Sequence, residues 1–212
     1  MSRRWRIERS RDHYSKMAKS LGFRSRAAFK LIEIIERFNV IKEGQVVLDI
    51  GAYPGGWLQV ASRATGPSGL VIGVDIRPIK KLGRPNVKTV VGDVCDESLH
   101  EELAKIVPDK VDVILSDASP KLTGVWTTDM AQHEHIIQCV IRLVNKLLKR
   151  GGVAVIKAFQ GSELDDILSN LRRLFERVRI FKPKASRQRS REIYLICIGF
   201  RGDGEERVNL GN

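Results

Sequence analysis

The chain has 212 residues, a length that suits one α/β domain with a substantial apolar core. Hydrophobic residues make up 42% of it, and no apolar run approaches the length of a membrane span, which argues against an integral membrane protein. The formal net charge is +12, and the N-terminal stretch lacks the apolar region of a secretory signal, so we expect a cytoplasmic protein.

The positive charge is concentrated in two segments. Residues 1–30 carry ten Lys/Arg and two acidic residues, residues 177–191 carry seven Lys/Arg and no acid, and the remainder is slightly acidic. This segregation predicts binding to nucleic acid, with Arg3–Arg26 and Arg177–Arg191 contacting phosphates. The alternative is a solvated surface whose charge serves solubility.

In chain order, we expect a basic arm over residues 1–20, one domain over residues 21–202 and a polar tail over residues 203–212. The domain opens with apolar residues at helical spacing, and Lys30 lies within that pattern. By position alone, Lys30 would be solvated or paired with the neighbouring Glu33.

The stretch VVLDIGAYPGGW, residues 46–57, predicts a buried strand, a tight turn and the start of a helix. Gly51, Gly55 and Gly56 permit a sharp turn and a close approach of the backbone to a ligand. The spacing differs from G-x-G-x-x-G, and Trp57 stands where a phosphate-binding loop requires Lys. The turn is therefore neither a dinucleotide fingerprint nor a P-loop.

Two acidic residues follow this turn at the ends of predicted strands. The strand over residues 70–75 ends in Asp75, and the strand over residues 86–93 ends in Asp93. Ligands of open α/β sheets bind at the carboxyl ends of strands, and an acid after the second strand binds ribose hydroxyls. We therefore predict an adenosine ligand with a non-phosphate tail; without the two acids, a plain tight turn would be the simpler interpretation.

Two later strands each carry a polar residue near their carboxyl end. The strand over residues 111–120 places Asp117 at the same edge, where its alternative role is an Asx turn or a helix cap before Pro120. The strand over residues 152–161 contains Lys157 among apolar residues, and burying a lysine is costly unless it has a partner or a task.

Helices are predicted between these strands, over residues 97–107, 129–149 and 162–173. Two strands flanking a basic loop follow, and Glu192 opens the last of them. Alternating strands and helices predict an α/β fold, a parallel sheet with helices on both faces. The last two strands lack a helix between them, so we expect an antiparallel edge.

The three cysteines, Cys95, Cys139 and Cys197, are far apart and form no C-x-x-C motif. We expect them to be buried, small apolar residues in a reducing compartment, not a disulfide or zinc framework. The four histidines form no ligand pattern either, so no metal site is predicted.

Five motifs together resemble the RrmJ/FtsJ family of S-adenosylmethionine-dependent ribosomal RNA 2′-O-ribose methyltransferases. The matching motifs are RSRAAFKL (24–31), LDIGAYPGGW (48–57), SDASP (116–120), KAFQG (157–161) and KASRQRSREIY (184–194). The resemblance runs from about Tyr14 to Phe200, nearly the whole chain. Tyr53 departs from the family pattern, which often has a small residue there, and Ala158 stands where bacterial members often have Val.

The resemblance implies a fold, a cofactor and two sets of site residues. The fold is a Rossmann-like class I methyltransferase, with a mostly parallel seven-stranded sheet and an antiparallel last strand. The cofactor is S-adenosylmethionine, with no metal. The implied catalytic tetrad is Lys30, Asp117, Lys157 and Glu192. The implied cofactor contacts are Gly51, Gly55, Trp57, Asp75, Asp93 and Asp117.

Methyl transfer to a ribose hydroxyl requires a positioned nucleophile that loses its proton. We assign Lys157 as the base or proton acceptor, Lys30 to tune and position the site, and Asp117 to bridge the cofactor's methyl end and Lys157. Glu192 would orient Lys157 or the RNA. Alternatively, Lys157 only steers the hydroxyl lone pair and the proton leaves late.

The implied substrate is a uridine in a loop of large-subunit ribosomal RNA, within the large ribosomal subunit, and we expect a monomer. A transfer RNA ribose is the nearest alternative substrate, since relatives with the same tetrad modify it. A non-catalytic RNA-binding module is a second alternative, which the intact tetrad argues against. An NAD-type oxidoreductase lacks support because G-x-G-x-x-G is missing.

Overall fold

The computed structural model describes residues 13–121, 123–187 and 190–202, so the predicted tail and most of the predicted arm lie outside the described residues. Its strands are β1 (Val46–Ile50), β2 (Leu70–Asp75), β3 (Val87–Val91), β4 (Val111–Ser116), β5 (Leu148–Phe159), β6 (Phe175–Phe181) and β7 (Glu192–Phe200). Its helices are α1, described over residues 13–20, then α2 (Ala28–Phe38), α3 (Gly56–Thr65), α4 (Glu97–Ile106), α5 (Trp126–Leu147) and α6 (Leu164–Leu174).

The seven strands form one sheet in the order β3-β2-β1-β4-β5-β7-β6. All neighbouring pairs from β3 to β5 are parallel, whereas β7 runs antiparallel to both β5 and β6. The predicted mostly parallel sheet with an antiparallel last strand is confirmed. The antiparallel strand is not at the edge, however: β7 lies between β5 and β6, which leaves β6 as the edge strand.

The chain reverses its direction of travel across the sheet between β1 and β4. From β1 it moves outward through β2 to β3, then returns to place β4 on the other side of β1. Such a switch point opens a crevice at the carboxyl ends of the two strands, where α/β sheets bind their ligands. The fold therefore places the ligand edge between β1 and β4.

Helices cover both faces of the sheet, as predicted. On one face α4, α5 and α6 pack against strand residues such as Leu48, Ile114 and Ile156. On the other face α2 and α3 pack against the alternate residues, such as Val47 and Val155. Successive strand residues point to opposite faces, so the central strands are apolar throughout and buried on both sides.

The same alternation directs the charged residues of β5 and β7 toward α2. Lys157 is two residues after Val155, which belongs to the face covered by α2 and α3. It pairs in register with Tyr194, which belongs to that same face, and Glu192 is two residues before Tyr194. Because α2 carries Lys30 among its buried residues, side chains from three distant parts of the chain converge there.

Most predicted element boundaries shift by a few residues, and the largest shifts at an element's start are those of α5 and β5. The helix predicted to begin at Asp129 begins at Trp126, and the strand predicted to begin at Gly152 begins at Leu148, directly after α5. Residues 145–150 are predominantly helix-forming lysine, leucine and arginine, so the sequence gives no local stop signal before the glycines. Pairing of Leu148 with Val111 of β4 overrides that propensity.

The prediction that the cysteines form no disulfide was wrong. Cys95, in the loop after β3, is joined to Cys139 on α5, while Cys197 is buried with a free thiol. The two bonded residues are 44 positions apart in the chain, and only the packing of α5 beside the ends of β2 and β3 brings them together. Their spacing therefore gave no sign of the pairing.

None of the helices within the described residues has the length and apolar character needed to cross a membrane.

Candidate active site

The turn after β1 depends on Gly51 for its close contact with the loop after β4. Gly51 has a φ of 74°, and a Cβ built on it would lie 2.6 Å from the Cα and N atoms of Ala118. No larger residue fits there without moving backbone. The amide of Asp117 donates to the Ile50 carbonyl at 3.1 Å, so this contact holds Asp117 against the first turn.

A cavity of about 1090 Å³ opens at this edge of the sheet, and we refer to it as the edge cavity. Its walls come from the loops after β1, β2, β3 and β4 and from one side of α5. Four of the predicted cofactor residues line it: Gly51, Asp75, Asp93 and Asp117. The crevice expected at the switch point is thus present and acidic.

Asp75 and Asp93 are held by their own loops. The Asp75 carboxylate accepts hydrogen bonds from the amides of Tyr53 and Arg77, both at 2.9 Å, and Asp93 accepts one from the amide of Cys95 at 2.9 Å. A carboxylate has about four acceptor positions, so both side chains retain capacity for ligand hydroxyls.

Gly55 and Trp57 do not line the edge cavity, although both were predicted as cofactor contacts. Gly55 is the N-cap of α3, with a φ of 108° that favours glycine. Trp57 is buried, donates its indole N–H to the Ala27 carbonyl at 2.8 Å and packs against the Tyr194 ring at a centroid distance of 5.7 Å. In this structure neither residue faces the edge cavity: Gly55 starts α3, and Trp57 packs against Tyr194.

Asp49 was not predicted as a site residue, yet it is the most unusual carboxyl group at this edge. It is fully buried in β1, and neither of its oxygens has a hydrogen-bond partner among the described residues. Burial, reinforced by the carboxylates of Asp117 and Asp75, raises the pKa of Asp49 well above its ordinary value. A buried acidic residue before the glycine turn was visible in the sequence, but its lack of a partner was not.

The edge cavity fits S-adenosylmethionine chemically. The carboxylates of Asp75, Asp93 and Asp117 line it together with the basic side chains of Arg77 and Lys121, and Arg77 lies 3.4 Å from Asp75. The buried Asp49 has no bonded partner among the described residues, so a positive charge nearby would favour its ionised form. S-adenosylmethionine carries a sulfonium and an ammonium group. It also has ribose hydroxyls, from which Asp75 can accept hydrogen bonds.

The four residues of the predicted tetrad meet at one end of the edge cavity. Lys30 Nζ lies 2.7 Å from Glu192 Oε1 and 4.0 Å from Asp117 Oδ1. Lys157 Nζ lies 3.3 Å from Asp117 Oδ1 and donates to the Asp117 backbone carbonyl at 2.7 Å. The alternative pairing of Lys30 with Glu33 does not occur, since Glu33 instead accepts hydrogen bonds from the amides of Lys184 and Ala185.

Tyr194 connects the two halves of this tetrad and was missed as a site residue. Its hydroxyl donates to Asp117 Oδ1 at 2.7 Å and accepts from Lys30 Nζ at 3.1 Å. Burial and the nearby carboxylates raise its pKa well above the ordinary value, so the hydroxyl keeps its proton. The signal was available, because a residue two positions after Glu192 in a strand shares its face.

Charge within the tetrad is balanced, with two ammonium groups facing two carboxylates. Burial alone would raise the pKa of Asp117, but the charges of Lys157 and Lys30 and the Tyr194 hydrogen bond outweigh it and lower that pKa. Asp117 is therefore ionised at neutral pH. It is also the one tetrad member that lines the edge cavity, so it joins the two parts of the site.

His133 lies behind Lys157 on α5, buried against the Phe159 ring at a centroid distance of 4.4 Å. Burial and the charge of Lys157 lower the pKa of His133 to about 4. It is neutral at physiological pH and adds no charge to the tetrad.

The basic segments are only partly free to bind a polyanion. Residues 1–12, 188 and 189 lie outside the described residues. Within the described part, the Arg24 guanidinium donates to the carbonyls of Pro54, Lys80 and Lys81, and Arg26 donates to the Ala185 carbonyl at 2.8 Å. Arg24 thus fixes the loop that begins α3, a structural role that the charge count did not reveal.

Cys95, His135 and Cys139 bring their ligand atoms within 4.8 Å of one another beside the edge cavity. The sequence suggested no such grouping, because one member lies 40 residues before the next in the chain. The two sulfurs are joined in the disulfide, however, and a metal ligand must be a thiolate. In this structure the group is a cross-link and not a metal centre.

Comparison with known proteins identifies the family. Residues 23–200 match the family model described as FtsJ-like methyltransferase. The chain is 42% identical over 203 residues to ribosomal RNA large subunit methyltransferase E of Methanocaldococcus jannaschii, an alignment covering 94% of this chain and 83% of that protein. The same-named protein of Methanothermobacter thermautotrophicus is 39% identical over 202 residues, with 95% and 96% covered.

Two solved structures resemble this protein in fold. A structure described as a ribosomal RNA methyltransferase of Plasmodium falciparum superposes with a TM-score of 0.77 at 31% identity, covering 85% of this chain and all of that one. Aeropyrum pernix fibrillarin with bound S-adenosylmethionine, at 16% identity and a TM-score of 0.53 over 75% of this chain and 68% of that one, shares the fold. These matches confirm the family predicted from the motifs, and with it S-adenosylmethionine as the cofactor.

Proposed function

Because the chain belongs to the FtsJ-like methyltransferase family, we propose that it methylates the 2′-oxygen of a ribose, that of a uridine, in large-subunit ribosomal RNA. Relatives at about 40% identity carry the name ribosomal RNA large subunit methyltransferase E. The observation that carries the proposal is the double position of Asp117, which lines the edge cavity and pairs with Lys157. Cofactor and hydroxyl would therefore meet at one carboxylate.

Lys157 accepts the proton of the ribose hydroxyl in this proposal. It is 6% exposed, and its Nζ contacts Asp117 through both a side-chain and a backbone oxygen. To act as the acceptor, Lys157 must be a neutral amine: its two N–H groups then bond to Asp117, and its lone pair takes the hydroxyl proton to give an ammonium group. Bound S-adenosylmethionine supplies the methyl group, and the chain supplies the alignment.

Lys30, Glu192 and Tyr194 are positioning residues in this scheme. Lys30 is held by Glu192 at 2.7 Å and by the Tyr194 hydroxyl at 3.1 Å. Glu192 Oε1 also accepts from Ser186 Oγ at 2.8 Å, which ties the basic loop before β7 to the tetrad. Substrate RNA bound at that loop would therefore act on the same network that orients Asp117 and Lys157.

For the cofactor, we assign recognition of the ribose to Asp75. Asp93, which also lines the edge cavity, contacts the cofactor in this assignment. Gly51 allows backbone approach, and Gly55 and Trp57 support the loop from behind. Asp117 lies at the methyl end. No metal takes part in this assignment.

For the RNA, we assign phosphate contacts to the basic segments Arg3–Arg26 and Arg177–Arg191, apart from Arg24 and Arg26, whose guanidinium groups are bonded within the protein. We keep the division into an arm (1–20), one catalytic domain (21–202) and a tail (203–212), which agrees with a family match over residues 23–200. A monomer acting in the cytoplasm on large ribosomal subunits completes the proposal.

The test is methyl transfer from labelled S-adenosylmethionine, with the purified protein offered large ribosomal subunits, free ribosomal RNA and transfer RNA in parallel. The label is then mapped to base or ribose. We expect it on a ribose 2′-oxygen of a uridine in subunits or ribosomal RNA. Label on transfer RNA would overturn the substrate but keep the chemistry, whereas label on a base would overturn the proposed reaction.

A further inference from the structure

An exposed tryptophan stands at the start of α5 with an arginine stacked on it. Trp126 is 46% exposed, and the Arg191 guanidinium carbon lies 4.5 Å from the centre of its ring. Trp126 and its exposed neighbour Val125 place apolar surface in water. One ring face is covered by the planar guanidinium, and much of the remaining surface is open to a second planar group.

The loop that presents Trp126 is fixed by a single carboxylate. Asp129, in the first turn of α5, accepts hydrogen bonds from the amide and hydroxyl of Thr123, both at 2.7 Å, and from the Gly124 amide at 3.2 Å. These bonds lower the pKa of Asp129, so it stays ionised at neutral pH. The tryptophan is thus held in place before any ligand binds, which reduces the entropic cost of stacking.

Arg191 brings this pair next to the tetrad. It immediately precedes Glu192, and its backbone carbonyl accepts a hydrogen bond from the amide of Gln160 at 2.9 Å, at the end of the strand that carries Lys157. Neither Trp126 nor Arg191 lines the edge cavity. The pair therefore lies on the side of the site that holds the tetrad, away from the surface assigned to the cofactor. We call this the acceptor side, because the ribose hydroxyl that accepts the methyl group would bind there.

We propose that Trp126 and Arg191 form a stacking site for an unpaired nucleobase of the RNA, at or next to the methylated nucleotide. The proposal rests on the proposed function, since it places a base beside the tetrad. Proteins that act on unpaired RNA commonly stack bases on aromatic rings and guanidinium planes. An exposed ring and a planar cation supply those elements, and the cation, Arg191, is the residue before Glu192.

A second exposed aromatic–arginine pair does not compete for this role. The Arg77 guanidinium lies 3.9 Å from the centre of the Tyr53 ring, but both residues line the edge cavity. Their location assigns them to the cofactor side. Trp126 is therefore the aromatic residue that the described part of the chain offers on the acceptor side.

The experiment is an abasic scan of a short substrate RNA against the wild-type protein and Trp126→Ala. Binding is measured by titration, independently of methyl transfer. In the wild-type protein we expect the loss of one particular base to weaken binding roughly 5- to 100-fold, the range for a single base–aromatic stack. Trp126→Ala should lose a similar factor on intact RNA, and removing that base should then cost nothing further.

Three matched variants separate stacking from other effects. Trp126→Phe keeps a ring and should retain most of the binding, whereas Val125→Ala removes exposed apolar surface but leaves the ring and should bind as the wild type. Arg191→Lys keeps the charge but loses the planar group, so it should weaken binding. The slope of affinity against salt should be unchanged in Trp126→Ala, because an uncharged ring contacts no phosphate.

If the loss of affinity from Trp126→Ala simply added to the loss from removing each base, at every position, the stacking site would be overturned. Equal losses in Trp126→Phe and Trp126→Ala would do the same. Failure of the proposed function looks different: methyl transfer would then be absent or directed to another atom in the wild-type protein, while the binding coupled to one base would persist.

Discussion

The two halves of the site differ in how their charges are satisfied. On the acceptor side, every tetrad carboxylate faces an ammonium group, and Tyr194 bridges the two pairs. On the cofactor side, Asp49 is buried with neither oxygen bonded among the described residues. The acceptor side is therefore ordered before the substrate arrives, whereas the cofactor side holds a buried carboxyl group whose ionisation a positively charged ligand would favour.

This difference has a physical basis in what each side must do. A group that aligns a hydroxyl works best when it is already rigid, and a closed hydrogen-bond network provides that rigidity. A cavity that binds a cation gains affinity from uncompensated carboxylates, at a cost in stability of the empty protein. We expect the two sides to respond oppositely to substitution.

The largest expected effect is on the acceptor side. Lys157→Ala removes the proposed proton acceptor and should lower the rate of methyl transfer by about 100- to 10,000-fold, the range for general acid–base catalysis. Its affinity for S-adenosylmethionine should stay near that of the wild type, because Lys157 does not line the edge cavity. Single-turnover transfer and calorimetric cofactor binding measure the two quantities.

Lys149→Ala is the matched control, since Lys149 lies in the same strand at the other end of the sheet, paired with Asp112 at 2.9 Å. It should transfer methyl groups at the wild-type rate. A Lys157→Ala variant that lost cofactor binding would contradict the separation of the two halves.

The next effect concerns the disulfide in the wall of the cofactor side. Opening the bond between Cys95 and Cys139, which spans 44 residues, should lower the free energy of unfolding by about 4 kcal/mol from the loop it closes in the unfolded chain. Denaturant unfolding with and without a dithiol reductant measures this loss. A variant with both cysteines changed to serine must be insensitive to the reductant; continued sensitivity would locate the effect elsewhere.

His133 should produce a pH dependence from the acceptor side. Its folded pKa of about 4 lies below the ordinary value of 6.5, so the unfolded chain binds a proton first as the pH falls. Stability from this residue is complete above pH 6.5 and is lost as the pH falls toward 4, by about 3 kcal/mol in total. The unfolding free energy of His133→Met, followed over this range, should fall less steeply than that of the wild type; parallel curves would refute the assignment.

The smallest expected effect is on the cofactor side and has the opposite sign. The raised pKa of Asp49 means that the folded protein holds this proton longer than the unfolded chain, so stability falls as the pH rises above 3.8. Asp49→Asn should therefore stabilise the cofactor-free protein at neutral pH, because the amide carries no charge to bury. Added S-adenosylmethionine should raise the melting temperature of the wild type more than that of Asp49→Asn. An equal rise in both would show that Asp49 does not sense the ligand's charge.

Much of the fold followed from local patterns in the sequence. The end of β2 at Asp75 was predictable because the apolar run stops there, and alternating strands and helices predicted the parallel sheet. The end of β4 at Ser116 comes earlier than the predicted residue 120. The insertion of β7 between β5 and β6 was not predictable, because strand order depends on long-range pairing that no local pattern records.

Site residues that belong to a sequence motif were predictable. The contacts that each of them makes in the folded protein were not. The meeting of Lys30, Asp117, Lys157 and Glu192 came from the resemblance, and the structure brings all four together. Trp57 sits behind the edge cavity because its indole N–H is bonded to Ala27, which spacing alone cannot reveal. The sequence likewise could not show that the buried Asp49 carboxyl lacks a hydrogen-bond partner among the described residues.

The position of β7 also affects when the site comes into being. This strand follows every other strand in the chain and pairs on both sides, with β5 and with β6. Glu192 and Tyr194 reach Lys30 only when β7 inserts between strands already made. During synthesis, which proceeds from the N-terminus, the earlier strands can assemble first. A growing chain therefore carries most of its cofactor cavity before it has a complete tetrad, so it cannot act on RNA until its final strand is in place.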